Sequence, residues 1–187
     1  MDYSEDSIFH GALRLRQRGR GYRFTVSALV SAREAPEKYK PVELVGDSGH
    51  QPTDEAGRTI VGTGDNVLQT ASDLTGVARF ISSLDTVLDM IDNGVPCDTI
   101  AVIDDSGGTL TAPILQFFSG VLCMGGTVRS HLGILTREFG IPCFMATELD
   151  GLRDGDRIMV ECSRPATNAY ASRPGAPADR PRVIRVS

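Results

Sequence analysis

The chain has 187 residues, 41% of them hydrophobic and 23% charged, which suits one globular domain with an appended segment and excludes two large domains. Its formal net charge of -5 argues against a nucleic-acid partner, because such partners usually require a strongly basic surface. No apolar run is long enough to cross a bilayer and the polar start MDYSEDS lacks the pattern of a secretory signal, so we expect a soluble, cytoplasmic protein with no membrane partner.

Residues 1–70 are predicted to form an N-terminal extension that is partly β and to which the sequence assigns no function. Residues 22–30 alternate and are rich in strand formers, and residues 42–45 form a second short run of the same kind, so both predict strands. The stretch GDSGHQPTDEAG, from residue 46 to residue 57, is polar and rich in turn formers. It predicts a loop between the extension and the main domain.

The main domain is predicted to span residues 71–164, with strands and helices in alternation. Residues 165–187 repeat Pro, Ala and Arg without hydrophobic periodicity, so we predict a flexible C-terminal tail. In the main domain, β-branched and apolar runs predict the strands, while apolar residues at helical spacing and capping residues predict the helices. The predicted strands cover residues 77–81, 99–103, 121–124, 143–145 and 157–161, and the predicted helices cover residues 84–91, 113–118 and 131–139, with a loop at residues 104–109.

The chain has four cysteines, and they are too far apart for the paired spacings that bind zinc or form a redox dithiol. A free cysteine packs as a small hydrophobic residue, and the inferred compartment is reducing. We therefore expect four buried thiols and predict no metal site. The cysteines are Cys97, Cys123, Cys143 and Cys162.

The most informative stretch of the sequence places His131 in the first turn of a predicted helix, directly after a loop rich in Gly, Ser and Thr. Backbone N–H groups and the positive end of the helix dipole gather at such a point, so a phosphoryl group on the imidazole ring would be stabilised there. A neutral imidazole is also a competent nucleophile near neutral pH. Such a position suits a phosphohistidine, although a lone histidine at a helix start is more often a cap or a surface residue than a nucleophile.

The same stretch resembles the mobile domain of phosphoenolpyruvate (PEP)-utilising enzymes, as found in phosphoenolpyruvate synthase, pyruvate phosphate dikinase and the first enzyme of the sugar phosphotransferase system. The family pattern reads roughly G-G-x-T-S/C-H-x-A-I-x-A-R-x-x-G-I/K-P, and the resemblance covers about residues 74–162. It implies an α/β fold, a swivelling β/β/α domain with the phosphohistidine on an exposed rim. Without gaps, the chain agrees with the pattern at Gly126, Ser130, His131, Ile134, Arg137, Gly140, Ile141 and Pro142.

Four positions depart from the family pattern. Thr127 stands where the second glycine usually lies, Arg129 stands where the threonine lies, and the two small residues Gly133 and Thr136 replace two alanines. Arg129 adds positive charge two residues before His131, where it would either pair with a phosphate or block the approach of a donor. The phosphoryl donor is therefore left open.

The motif, together with the chemistry of the residues around it, gives a set of candidate site residues with different roles. His131 is the predicted catalytic nucleophile. Ser130 is first a helix cap and second a partner for a phosphoryl oxygen. Arg137 lies almost two turns beyond His131, so we predict a structural ion pair for it. The predicted phosphate-stabilising residues are Ser130, Arg129, Thr127 and Gly126.

The implied function is that of a phosphoryl carrier or of the small subunit of a split phosphotransferase. In the family, the mobile domain moves between a nucleotide-binding domain and a barrel that binds phosphoenolpyruvate or pyruvate, and this chain is too short for either. We therefore expect no cofactor on the chain itself, and ATP or phosphoenolpyruvate with Mg²⁺ on a partner protein or subunit of one of those two kinds. One alternative function stays open, a non-catalytic binding or regulatory module that keeps the swivelling fold. For the oligomeric state, a homo-oligomer also stays open.

Overall fold

The structure, a computed structural model of the protein, describes residues 46–104, 110–168 and 180–186. The strands predicted for residues 22–30 and 42–45 lie outside these ranges, as do residues 105–109 of the predicted loop. The described part consists of strands β1 (Ile60–Asn66), β2 (Leu74–Phe80), β3 (Thr99–Ile103), β4 (Gly120–Cys123), β5 (Cys143–Leu149), β6 (Arg157–Val160) and β7 (Arg182–Arg185), with α-helices α1 (Leu84–Asn93) and α2 (His131–Glu138) and a 3-10 helix (Ala112–Phe117).

These seven strands close into a barrel in the order β1-β5-β4-β3-β2-β6-β7. Strands β2, β3, β4 and β5 pair in parallel, whereas β6, β7 and β1 complete the barrel with antiparallel pairs. Parallel neighbours need a crossover connection, and α1, the 3-10 helix and α2 occupy the three crossovers between β2 and β5. The helices therefore belong to the parallel half of the barrel.

The prediction of a swivelling β/β/α domain with an N-terminal extension and a flexible C-terminal tail is wrong. The described chain is a closed barrel of seven strands with few helices. Strand β1 comes from the segment predicted as an extension, and β7 comes from the segment predicted as a tail. Both strands were missed because β1 contains two glycines and β7 has only four residues beside a Pro-rich stretch. The division into residues 1–70, 71–164 and 165–187 stays a prediction about folding units.

Between residues 74 and 160, each predicted strand and helix has a counterpart in the structure. The five predicted strands correspond to β2, β3, β4, β5 and β6, and residues 99–103 have the predicted bounds. The predicted helices correspond to α1, the 3-10 helix and α2. Strand β5 extends to Leu149, four residues beyond its predicted end, because it pairs with β1 as well as with β4.

Side chains of the parallel strands alternate between two hydrophobic clusters, since successive residues of a strand point to opposite faces. Ile100 and Val102 of β3 pack with Leu122 and Phe144 in a cluster to which all seven strands contribute, so this cluster fills the barrel. Ala101 and Ile103 of β3 point the other way and pack with residues of α1, the 3-10 helix and α2. The helices therefore cover one outer face of the barrel.

Three of the cysteines are buried, as predicted, but Cys97 is exposed in the turn before β3, so the expectation of four buried thiols is wrong for that residue. Burial raises the pKa of both Cys143 and Cys162 to about 12. These two thiols are therefore neutral packing groups at physiological pH. No helix in the described ranges is long and apolar enough to span a membrane.

Candidate functional site

His131 is the first residue of α2 and is exposed to solvent, as the sequence predicts. Strand β4 ends at Cys123, and residues 124–130 carry the chain from the carboxyl edge of the parallel strands to this helix. We call residues 125–130 the site loop. The structure thus places Gly126, Thr127, Arg129 and Ser130 on one short connection directly before His131.

Ser130 caps α2. Its backbone is extended, with φ -65 and ψ 163, and its Oγ accepts a hydrogen bond from the backbone N–H of Gly133 at 3.4 Å. The first hydrogen bond along the helix runs from the N–H of Ile134 to the carbonyl oxygen of Ser130. The helix itself therefore offers no acceptor to the N–H groups of His131 and Leu132, and the positive end of its dipole lies beside the imidazole.

The site loop is a tight turn built on Thr127. The Thr127 Oγ1 accepts a hydrogen bond from the N–H of Arg129 at 3.2 Å, and its carbonyl oxygen accepts one from the N–H of Ser130 at 2.9 Å. Gly126 has a φ of +68°, a conformation that glycine adopts without steric cost. Thr127 replaces the family's second glycine and uses its hydroxyl to form the turn that presents Arg129 and His131.

Arg137 contacts the site loop, and its observed partner among the described residues differs from the predicted ion pair. Its Nη2 donates a hydrogen bond to the carbonyl oxygen of Val128 at 3.2 Å. The Val128 side chain is 6% exposed and packs in the cluster between the helices and the barrel. Arg137 therefore holds the middle of the site loop against the helix that carries His131. Sequence spacing has no signal for a bond of this kind, because it joins a side chain to a backbone group nine residues away.

Gly133 allows the same carbonyl group to approach α2. A Cβ atom at Gly133 would lie 2.8 Å from the carbonyl oxygen of Val128 and 3.1 Å from its carbonyl carbon. The alanine of the family pattern would not fit at this position unless the site loop moved. The departure at residue 133 is thus a packing requirement of this particular loop.

A second anchor of the site loop lies on β5 and was missed by sequence reasoning. The N–H of Ala146 donates a hydrogen bond to the carbonyl oxygen of Gly125 at 3.1 Å. Ala146 has a φ of +47°, an uncommon conformation for a residue other than glycine. Nothing in the local sequence around Ala146 indicates that conformation, because it arises from the pairing of β5 with β1.

In the described ranges, no group of three or more His, Cys, Asp or Glu side chains is arranged to hold a metal ion. His50 is exposed in the loop before β1, and His10 lies outside the described residues. His131 is therefore the one described histidine that stands at a helix start.

Comparison with known proteins identifies the segment that contains this site. Residues 95–164 match the family model of the PEP-utilising enzyme mobile domain. The resemblance to this family is thereby confirmed, and the mobile-domain match includes β3, β4, β5, β6 and α2 with His131. At the level of the family, the match supports a classification among the transferases, and among them the phosphotransferases. No curated protein matches the chain. The individual roles of His131, Ser130, Arg129, Thr127 and Gly126 stay predictions.

Proposed function

We propose that this chain is a phosphoryl carrier in which His131 takes a phosphoryl group from a donor held by a partner protein and passes it to an acceptor at a second site. The observation that carries the proposal is the position of His131, exposed at the first residue of α2 and inside the mobile-domain match. A carrier histidine must enter two different active sites, so its ring has to stand clear of its own domain.

Transfer to His131 is a displacement at phosphorus. The unprotonated ring nitrogen attacks in line, a P–N bond forms, and the donor's P–O bond breaks, with the leaving oxygen keeping the electron pair. The other ring nitrogen keeps its proton, and the positive charge that develops on the ring is offset by the phosphoryl oxygens. Transfer to the acceptor reverses these changes, because an acceptor oxygen attacks the phosphorus and the P–N bond breaks.

The site loop supplies positive potential for the phosphoryl oxygens. The N-terminal N–H groups of α2 and the helix dipole favour negative charge there by about 0.3–1 kcal/mol at an exposed site. Arg129 adds a guanidinium group on the same turn. In this proposal, Gly126 lets the backbone approach the phosphoryl group, while the Ser130 and Thr127 hydroxyls donate to its oxygens, because each uses its oxygen only as an acceptor in the turn and cap bonds.

The donor and the final acceptor belong to partners in this proposal. ATP or phosphoenolpyruvate, together with Mg²⁺, would bind on a nucleotide-binding subunit or on a barrel subunit. The isolated chain is then expected to consume neither compound at an enzymatic rate, and robust turnover by the chain alone would contradict the carrier proposal.

A direct test incubates the chain with the partner subunit, Mg²⁺ and either ATP or phosphoenolpyruvate as the phosphoryl donor. We expect a phosphate on the wild type that is labile in acid and stable in base, as a phosphohistidine is. His131→Ala should abolish labelling and leave the fold intact, because the residue is exposed. His50→Ala is the matched control, since His50 is also exposed, and it should be labelled by the partner as the wild type is.

Two results would contradict the proposal. Undiminished labelling of the His131→Ala protein would place the chemistry on another residue. Absence of phosphate on the wild type in the presence of its partner would instead favour a non-catalytic binding module. That function is also supported by Thr127 and Arg129, which replace the glycine and the threonine of the family pattern.

A further inference from the structure

Strands β1 and β5 pair with an irregularity next to the site loop. Thr63 pairs with Glu148 and Asp65 pairs with Met145, so one residue of β1 faces two residues of β5. The extra residue makes a β-bulge at positions 146 and 147. Bulges of this kind often lie beside functional sites, where they redirect the backbone.

Ala146 occupies the strained position of this bulge. Its φ of +47° lies in the left-handed region, which glycine usually fills at such positions. A residue other than glycine keeps this conformation only where the surrounding structure holds it, and such residues cluster at functional sites. The conformation of Ala146 therefore requires a restraint from its neighbours.

Arg180 supplies that restraint. Its Nη2 donates to the carbonyl oxygen of Ala146 at 2.7 Å, its Nε pairs with Asp65 at 3.2 Å, and its Nη1 pairs with Glu148 at 3.2 Å. The Arg180 side chain is 12% exposed, so its bonds to Ala146 and Asp65 are partly shielded from water, whereas Glu148 is exposed. The guanidinium group of Arg180 therefore contacts Asp65 on β1, Glu148 on β5 and the bulged residue Ala146.

The other side of Ala146 faces the site loop. Its N–H donates to the carbonyl oxygen of Gly125 at 3.1 Å, and Gly125 is followed by Gly126, where the loop turns with a φ of +68°. The two peptide groups of Ala146 therefore connect Arg180 with the first residue of the loop that leads to His131.

We propose that Arg180 and Ala146 are positioning residues for the site loop. Arg180 holds Ala146 in the left-handed conformation, and Ala146 in turn fixes Gly125 and so sets the path of the chain to His131. The importance of this coupling for phosphoryl transfer rests on the proposed function, whereas the coupling itself is a property of the unphosphorylated protein.

The test is a double-mutant cycle with glycine as the rescuing residue. Arg180→Met should release the bulge, shift the backbone amide resonances of Gly126, Ser130 and His131, and accelerate hydrogen exchange at the amide of Ala146. Ala146→Gly alone should change little, because glycine adopts the left-handed conformation without help. The double variant should recover the resonances and the protection at residue 146, because the bulge no longer needs Arg180.

Arg182→Met is the matched control. Arg182 lies on β7, in the same C-terminal segment, and pairs with Glu161 rather than with the bulge. Its replacement should leave the amide resonances of the site loop unchanged. A site loop that is unaffected by Arg180→Met, or one that Ala146→Gly fails to restore, would overturn the proposal, since the ion pairs of Arg180 would then have only a general structural role.

Phosphorylation of His131 by the partner subunit gives the functional measurement. We expect Arg180→Met to slow labelling by about tenfold, less than the roughly hundredfold loss that a displacement of 1 Å can cause, and the double variant to recover the rate. If the wild type is not phosphorylated, the carrier function fails while the resonance measurements still decide the coupling. If the wild type is phosphorylated and Arg180→Met does not slow it, the positioning role fails and the carrier function stands.

Discussion

Gly133 shows how a single residue can depart from a family pattern for a reason that is visible only in three dimensions. The carbonyl group of Val128 lies between the guanidinium group of Arg137 and the helical turn at Gly133. The space that a Cβ atom would need is therefore taken by the backbone of the site loop. The exchange of alanine for glycine follows from the path of this loop.

Gly133→Ala is predicted to destabilise the protein, although the same change in an open helix would stabilise it by about 1 kcal/mol. The new Cβ would lie 2.8 Å from a backbone oxygen, and overpacking of this kind typically costs about 1–3 kcal/mol. We expect the free energy of unfolding, measured by urea denaturation, to fall by about 1 kcal/mol. A gain in stability with unchanged amide resonances in the site loop would contradict this account.

At the level of the element, α2 has two local signals that fix its bounds. Ser130 caps its start, and Gly140 follows its end with a φ of +69°. The N–H of Ile141 donates to the carbonyl oxygen of Thr136, and the N–H of Gly140 donates to that of Arg137, which is the hydrogen-bond pattern of a Schellman motif. Both signals are residue types at fixed offsets, and so the sequence predicts this helix well.

Gly140→Ala tests the C-terminal signal of α2. A Cβ atom at Gly140 would meet nothing within 4 Å, so the cost comes from the left-handed backbone alone. We expect the free energy of unfolding to fall by about 1–2 kcal/mol. Gly46→Ala is the matched control, because Gly46 also has open space around it and no positive φ, and it should be close to neutral. Equal effects of the two substitutions would show that the motif does not stabilise the helix end.

The elements that sequence reasoning missed depend on tertiary contacts. In β1, a Cβ atom at Gly62 would lie 2.5 Å from the carbonyl oxygen of Glu148, and one at Gly64 would lie 2.9 Å from the Cβ of Phe144. Close approach to β5 therefore requires glycines that weaken the local strand signal. The functional site shows the same difference between features set by the local sequence and features set by tertiary contacts. His131 and Ser130 follow from local pattern, whereas the contacts of Arg137, Ala146 and Arg180 depend on how distant segments meet.

At the level of the whole molecule, the barrel closes through β7. This strand pairs with β1 on one side and β6 on the other, and the side chain of Val183 belongs to the cluster that fills the barrel. Arg180, two residues before the start of β7, restrains the bulge beside the site loop. The C-terminal segment therefore completes the barrel and anchors the site loop at the same time.

Val183→Ala tests whether the C-terminal strand is part of the folded core. Val183 is 0% exposed, so loss of two methyl groups and the cavity that remains should lower the free energy of unfolding by about 2 kcal/mol. Val186→Ala removes the same groups from a half-buried position three residues later and should cost less than about 1 kcal/mol. A flexible tail would make both substitutions neutral, because its side chains would gain no burial on folding. Urea denaturation of the wild type and both variants separates these outcomes, and a neutral Val183→Ala would contradict closure of the barrel by β7.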